Sequence, residues 1–201
     1  MTTTGSADRL LAAFRAYLAG LQRGLVSEFV DAIDWTMPAR VLPARPLPCT
    51  AYLADVATAA STPEQVLLAQ LAANAPELHW GQTYTAADFG QPFIDNYGWL
   101  ELFGTRGHFV NDKVAAGFLI LGPKIVYPDH HHIAEELYVP LTGGTRWRKG
   151  EGDFVERAAG EVIHHPPNVS HAMRTGSAPL VALYLWRGGP LAQKSTIGTA
   201  G

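Results

Sequence analysis

The chain has 201 residues, with 15 basic and 18 acidic side chains, eight histidines and one cysteine. At about 150 residues per domain this predicts one domain, long enough to bury roughly 70% of its unfolded surface without staples. An apolar fraction of 47% excludes a mostly disordered chain, a formal charge of -3 excludes a general basic field for nucleic acid, and the lone Cys49 excludes an internal disulfide or a Cys-based zinc site.

From Ser6 to Trp35, apolar residues recur at three- and four-residue steps (Leu10, Leu11, Phe14, Leu18, Leu21, Leu25, Phe29, Val30, Ile33), which predicts helix, one or two according to whether Gly20 and Gly24 interrupt the run. Ser6 is the expected N-cap. Four prolines between Pro38 and Pro48 predict a stiff, non-helical connector, because each ring fixes φ and removes a donor. Two more helices are expected, at 52–60 and 63–74, the second opened by Thr62, Pro63 and Gln65 in a capping-box pattern. Residues 77–113 read as a connecting segment or lid, in which Trp80, Tyr84, Phe89, Phe93, Tyr97, Trp99 and Phe103 sit among turn residues and are expected either to pack the helices onto the barrel or to line its mouth. From Val114 onward the pattern changes to short β-rich runs: VAAGFLIL, KIVY, EELYVPL, TRWRK, DFVER, EVIHH, HAMRT and LVALYLW, punctuated by Gly and Pro. Such spacing predicts an antiparallel sandwich or barrel. The expected organisation is a helical N-terminal extension (1–76), the connecting segment (77–113) and a barrel (114–201), together one domain.

Six of the eight histidines fall between His130 and His171. If Glu135 to Val139 is a strand, then His130, His132, Glu136 and Tyr138 share one parity and face one side, since extended residues two apart point the same way. Ile133 and Ala134 allow a turn within that run. His131 and Glu135 have the opposite parity and are expected to face outward. Two imidazoles and a carboxylate can hold a metal while leaving positions open. Downstream, Pro166-Pro167-Asn168 reads as a turn between strands, and it delivers His171 to the start of the next. His164 and His165 precede the turn and are weaker candidates. Cys49 is expected to be inert, and Arg146, Arg148 and Lys149 to form an exposed strand face around Trp147.

These two segments resemble the paired motifs of the cupin superfamily: Gly122, His130, His132, Glu136 and Gly143 in the first, Gly160, Pro166, Asn168 and His171 in the second. Asn168 stands where the family's second Gly falls, and Thr175 stands where it carries an Asn. The run from Tyr127 and Pro128 through His130, His132, Ala134, Glu136 and Tyr138 to Gly143 is similar to the signature of the cupin-type dimethylsulfoniopropionate lyases, and the layout resembles their DddQ-type branch. The resemblance implies a mainly β fold: a C-terminal cupin barrel (double-stranded β-helix, or jelly roll) with an α-helical N-terminal extension. It implies cleavage of dimethylsulfoniopropionate to dimethyl sulfide and acrylate. It also implies a divalent transition metal on His130, His132, Glu136 and His171, Tyr138 as base, and Tyr127 and Trp186 at the substrate. Tyr184 shares strand parity with Trp186 and joins that wall.

The chemistry suits these residues. β-Elimination from a sulfonium carboxylate needs an electrophile for the carboxylate and a base for the α-proton. A tyrosine, with an ordinary pKa of about 10, becomes a competent base beside a divalent cation. Aromatic faces suit the sulfonium. Zinc, iron, manganese, nickel and cobalt all fit such a ligand set, with zinc or iron favoured. The alternatives left open are a metal-dependent dioxygenase or isomerase, or a non-enzymatic ligand-binding cupin, acting on another small carboxylate. No apolar run reaches the ~20 residues that cross a bilayer, and the N-terminus lacks the pattern of a secretory signal. The expected setting is therefore cytoplasmic, with a small-molecule partner and neither nucleic acid nor membrane. The helical extension is expected to cap the barrel, line the pocket or form a homodimer, and the sequence does not choose among these.

Overall fold

The leucine and phenylalanine spacing of the N-terminal segment yields two helices, α1 (Ser6–Leu21) and α2 (Leu25–Asp31), with Gly24 at φ 57 before the second. The computed structural model describes residues 5–21, 24–58 and 61–198. Ser6 begins α1 instead of capping it: the Gly5 N–H donates to Asp8 Oδ2 at 3.2 Å, and the Ser6 hydroxyl donates to Glu77. The proline-rich connector is held by isolated bridges, Ala39 to Phe109 and Arg45 to His79. Helix α3 (Tyr52–Val56) is entered through a 3-10 turn at Pro48–Ala51 and stops earlier than expected; residues 59–60 of the predicted span lie outside the described residues. Helix α4 (Pro63–Asn74) matches its expected span, and Thr62 Oγ1 accepts from the Gln65 N–H. Cys49 is fully buried, and burial pushes its thiol up to about 12, consistent with an unreactive side chain.

Residues 77–113 are more than a connection. They form the short helices α5 (Ala86–Phe89) and α6 (Gln91–Asp95) and the strands β1 (Tyr97–Gly104) and β2 (Phe109–Val110). The sheet therefore starts at Tyr97, ahead of the expected Val114. β1 was missed in the sequence because YGWLELFG is broken by Gly98 and by Glu101, a buried carboxylate that reads as a surface residue.

The remaining strands are β3 (Val114–Leu121), β4 (Val126–His131), β5 (Glu135–Pro140), β6 (Thr145–Lys149), β7 (Val155–Arg157), β8 (Ile163–His165), β9 (His171–Thr175) and β10 (Leu180–Arg187), with a short β11 (Thr196–Ile197). Strands β3 and β5–β10 fall on the predicted runs, whereas β4 shares only Val126 and Tyr127 with the expected KIVY and runs on through His131. Among the described residues they build a six-stranded sheet, ordered β2-β1-β3-β10-β5-β8, and a five-stranded sheet, ordered β11-β4-β9-β6-β7. Apart from the parallel β1–β2 pair, the pairings are antiparallel. The β4–β9 register shifts between Tyr127 and His130, where Pro128 has no N–H to give the ladder.

Strand alternation divides the apolar residues into two cores. Leu137 and Val139 of β5, and Val181, Leu183 and Leu185 of β10, face outward under α1, α2 and α4. Phe14 meets Phe103 and Phe118 edge-on there, at 5.7 and 5.5 Å. Each such ring contributes roughly 1.5–3 kcal/mol by burial. The helical extension thus covers the outer face of the large sheet. The opposite face, with Tyr138, Ala182 and Tyr184, joins Tyr127 and Met173 of the second sheet in the barrel interior.

Gly117 fixes how closely β1 lies against β3. A Cβ there would stand 1.8 Å from the Leu100 carbonyl oxygen, and backbone cannot retreat as a side chain can. Gly117→Ala is expected to destabilise by about 1–3 kcal/mol, seen as a lower denaturant midpoint with an unchanged slope.

Candidate metal centre

Glu136, on β5, stands in the middle of a row across the large sheet, with Trp186 of β10 opposite it on one side and His165 of β8 on the other. His171 opens β9 and pairs with His130 of β4. His132 follows β4. The donor atoms of His132, Glu136 and His171 lie within 4.8 Å of one another, and all three residues are buried.

The tautomers are set by the backbone. Nδ1 of His130, His132 and His171 lies 2.9 Å from the carbonyl oxygens of Pro128, Ala134 and Val169, respectively. A carbonyl only accepts, so each Nδ1 carries the proton and each Nε2 presents a lone pair. Nε2 of His132 and Nε2 of His171 then face Glu136 Oε2 at 3.3 and 3.2 Å. Acceptors gathered at this distance in a buried site require a proton or a metal cation among them. His171 Nε2 has no hydrogen-bond partner among the described residues. In the metal-free protein, burial alone would lower the His132 pKa, but the Glu136 carboxylate raises it on balance. Burial opposes the charge on Glu136, yet His132 and its neighbours hold that carboxyl well below its usual range. Two neutral imidazoles and a carboxylate with converging lone pairs fit a divalent transition metal.

The turn between β8 and β9 assembles this cluster. Asn168 sits at φ 61, in the left-handed region that Asn tolerates, and its N–H donates 2.8 Å to the His132 carbonyl. That bond ties the second motif to the first.

The expected parity holds for Glu136 and Tyr138, and Ile133 and Ala134 form a bend. His130 is buried beside the cluster but outside its three converging donors. Its ring stacks on Tyr127 at 4.0 Å and meets His171 edge-on at 4.1 Å. His131 turns away, with Nδ1 3.4 Å from the Gly198 carbonyl. Glu135 also points away from the cluster but is not merely solvated: it accepts from Arg187 Nε at 2.7 Å and pairs with His164 Nε2 at 2.9 Å. Arg148 likewise pairs with Asp129, and Trp147 is buried in the barrel.

A cleft adjoins the cluster through Trp186, and Tyr127, Tyr138, Tyr184 and Trp186 all line it. Trp186 has a second role that its strand position did not reveal: its indole N–H donates to Glu136 Oε1, and its ring lies 4.0 Å from that of His132. Burial raises the hydroxyl pKa of Tyr127, Tyr138 and Tyr184 well above the ordinary value, and the Glu136 charge adds to this at Tyr138.

Tyr97 and Trp99, two of the aromatics expected either to pack the helices onto the barrel or to line its mouth, stand in the cleft wall. Sequence reasoning did not place Glu101 and Arg106, from β1 and the loop after it, or Gln193 and Ser195, from the segment leading to β11, in that wall. Glu101 is buried and held by Arg106 at 3.1 Å, while Arg106 lies 4.8 Å over the Trp99 ring. No local signal marks these four residues, because sheet closure alone brings them to the cleft. His165 shares parity with Ile163, and that was an available signal.

Two largely antiparallel sheets closing on a buried histidine–carboxylate cluster, with helices packed on the outer face of the larger sheet, define a cupin barrel. The model of the dimethylsulfoniopropionate lyase family matches residues 24–182, so the chain belongs to that family of enzymes. The dimethylsulfoniopropionate lyase DddQ of Ruegeria pomeroyi is 33% identical over 190 residues, which are 94% of this chain and 92% of that protein. A putative dimethylsulfoniopropionate lyase, DddL, of Cereibacter sphaeroides is 32% identical over 46% of this chain and 39% of its own length. The crystal structure of the Ruegeria pomeroyi DddQ superposes with a TM-score of 0.85 at 26% identity, covering 96% of this chain and 95% of that one. A chain from the crystal structures of the lyases RdDddP and RnDddQII superposes at 0.86 with 30% identity, covering 96% and 98%. Among the described residues no helix is long and apolar enough to cross a membrane.

Proposed function

We propose that this chain cleaves dimethylsulfoniopropionate by metal-dependent β-elimination, with Tyr138 as the base. The observation that carries the reading is the convergence of His132, Glu136 and His171 lone pairs beside an aromatic cleft that also holds Tyr138. His130 is the fourth ligand in this reading. Its Nδ1–H is already given to Pro128, leaving Nε2 as a donor atom, and its ring contacts His171. A divalent transition metal held by these residues, zinc or iron first, supplies an electrophile for the substrate carboxylate and a positive field beside Tyr138.

The side chains divide the remaining work. Tyr138 takes the α-proton. The C–H electron pair becomes the new double bond of acrylate, and the C–S pair leaves with neutral dimethyl sulfide, so the leaving group needs no acid. Tyr127, Tyr184 and Trp186 offer ring faces to the sulfonium, each contributing about 0.5–2 kcal/mol. Tyr127, Tyr138 and Tyr184 are buried, and the lower local dielectric strengthens these interactions.

The test is headspace gas chromatography for dimethyl sulfide, with metal-loaded protein beside His132→Ala. Release by the parent protein and its loss in the variant is the expected result. No release from protein of verified metal content would overturn the substrate assignment and leave the cupin fold intact.

A further inference from the structure

The ring of His165 does something that neither the cleft nor the converging donors require. It is 1% exposed, lies outside the cleft wall, and touches two of the metal-site residues at once. Its Nδ1 is 3.2 Å from Glu136 Oε2, and since a carboxylate only accepts, Nδ1 carries the proton. Its ring stacks on His171 at 4.0 Å and 12°. With Trp186 donating to Oε1, both oxygens of Glu136 are claimed from opposite sides of the row. A carboxylate's terminal torsion is soft, and two opposed donors hold its plane. The stack restricts rotation of the His171 ring. His165 Nε2 is buried with no partner among the described residues, so packing alone gains nothing from a nitrogen at that position. A phenyl ring would fill the same space.

We propose that His165 is a positioning residue of the metal centre: it orients the Glu136 carboxylate and the His171 ring, and so sets metal affinity and coordination geometry. The inference rests on the metal-centre reading above. It assigns His165 no contact with metal or substrate, because its proton-bearing nitrogen faces Glu136 and its lone pair points elsewhere.

The test uses metal-stripped full-length protein, titrated with Zn²⁺ against a chelator and with Co²⁺ by visible absorption. His165→Phe keeps a stacking ring and removes the donor. It is expected to bind both ions about 10–100-fold more weakly, with altered cobalt bands and an unchanged unfolding midpoint of the metal-free form. His165→Gln, whose amide can reach Glu136, should recover part of the affinity and the parent spectrum. A purely structural role would move the midpoint and leave the cobalt bands alone. Parent-like affinity and bands in His165→Phe would overturn the inference. If Phe disturbs folding, His165→Leu in the same titration decides it in the same way. Failure of the parent protein to bind either ion would overturn the metal-centre reading together with this one, and so is distinguishable from failure of the inference alone.

Discussion

Replacing Tyr138 by Phe is expected to reduce dimethyl sulfide release by about 10²–10⁴-fold, the range lost with a positioned proton acceptor, while metal content stays at the parent level. Tyr138 is 6% exposed, and its ring rests against Trp147 at 5.1 Å, so a phenyl ring fills the same volume. The change leaves the imidazole and carboxylate donors of His132, Glu136 and His171 in place. Without metal the phenol is a poor base: burial and then the Glu136 charge hold its proton on. A divalent cation at the cluster reverses the sign of the local field and favours the phenolate. Metal removal and loss of the hydroxyl should therefore give the same kinetic outcome by different routes. Metal analysis beside the rate assay separates them, and a Phe variant that kept most of its activity would remove Tyr138 from the role.

Glu136→Gln is expected to lose metal and activity together. The amide keeps the shape of the carboxylate but replaces one acceptor oxygen by a donor and removes the charge. In the parent protein one oxygen faces His132, His165 and His171 while the other accepts from Trp186. An amide cannot accept on both sides, and it offers a divalent cation no negative charge. In the metal-free variant its NH₂ can donate to the Nε2 lone pair of His132 or His171, so folding should survive. Bound metal stabilises a protein by RT ln(1 + [L]/Kd), about 2.7 kcal/mol at a hundredfold excess over Kd. The parent should thus show a rise in Tm with added Zn²⁺ that Glu136→Gln lacks. An equal metal-dependent rise in both would exclude Glu136 from the site.

Much of the architecture could be read locally. Strand parity put Tyr184 and Trp186 on one face of β10, and that face lies in the barrel, while Val181, Leu183 and Leu185 of the other face lie under the helices. The same rule placed Glu136 and Tyr138 together. Helix α4 was legible because Thr62, Pro63 and Gln65 settle its start through short-range hydrogen bonding. β1 was not legible, because Gly98 and the buried Glu101 interrupt its apolar run.

By itself the sequence determined the helix and strand spans with clear periodicity, the parity that puts a carboxylate and a tyrosine on one face, and the motif residues that mark the family. These follow from backbone geometry, which acts over a few residues. Tertiary structure decided which nitrogens converge, that His130 sits at the edge of the cluster while His165 clamps its carboxylate, and that Glu101 and Arg106 line the cleft. It also decided that Trp186 binds Glu136 as well as forming a wall. Those outcomes depend on which strands become neighbours when the sheets close, and strand pairing joins residues far apart in the chain whose local patterns carry no record of one another.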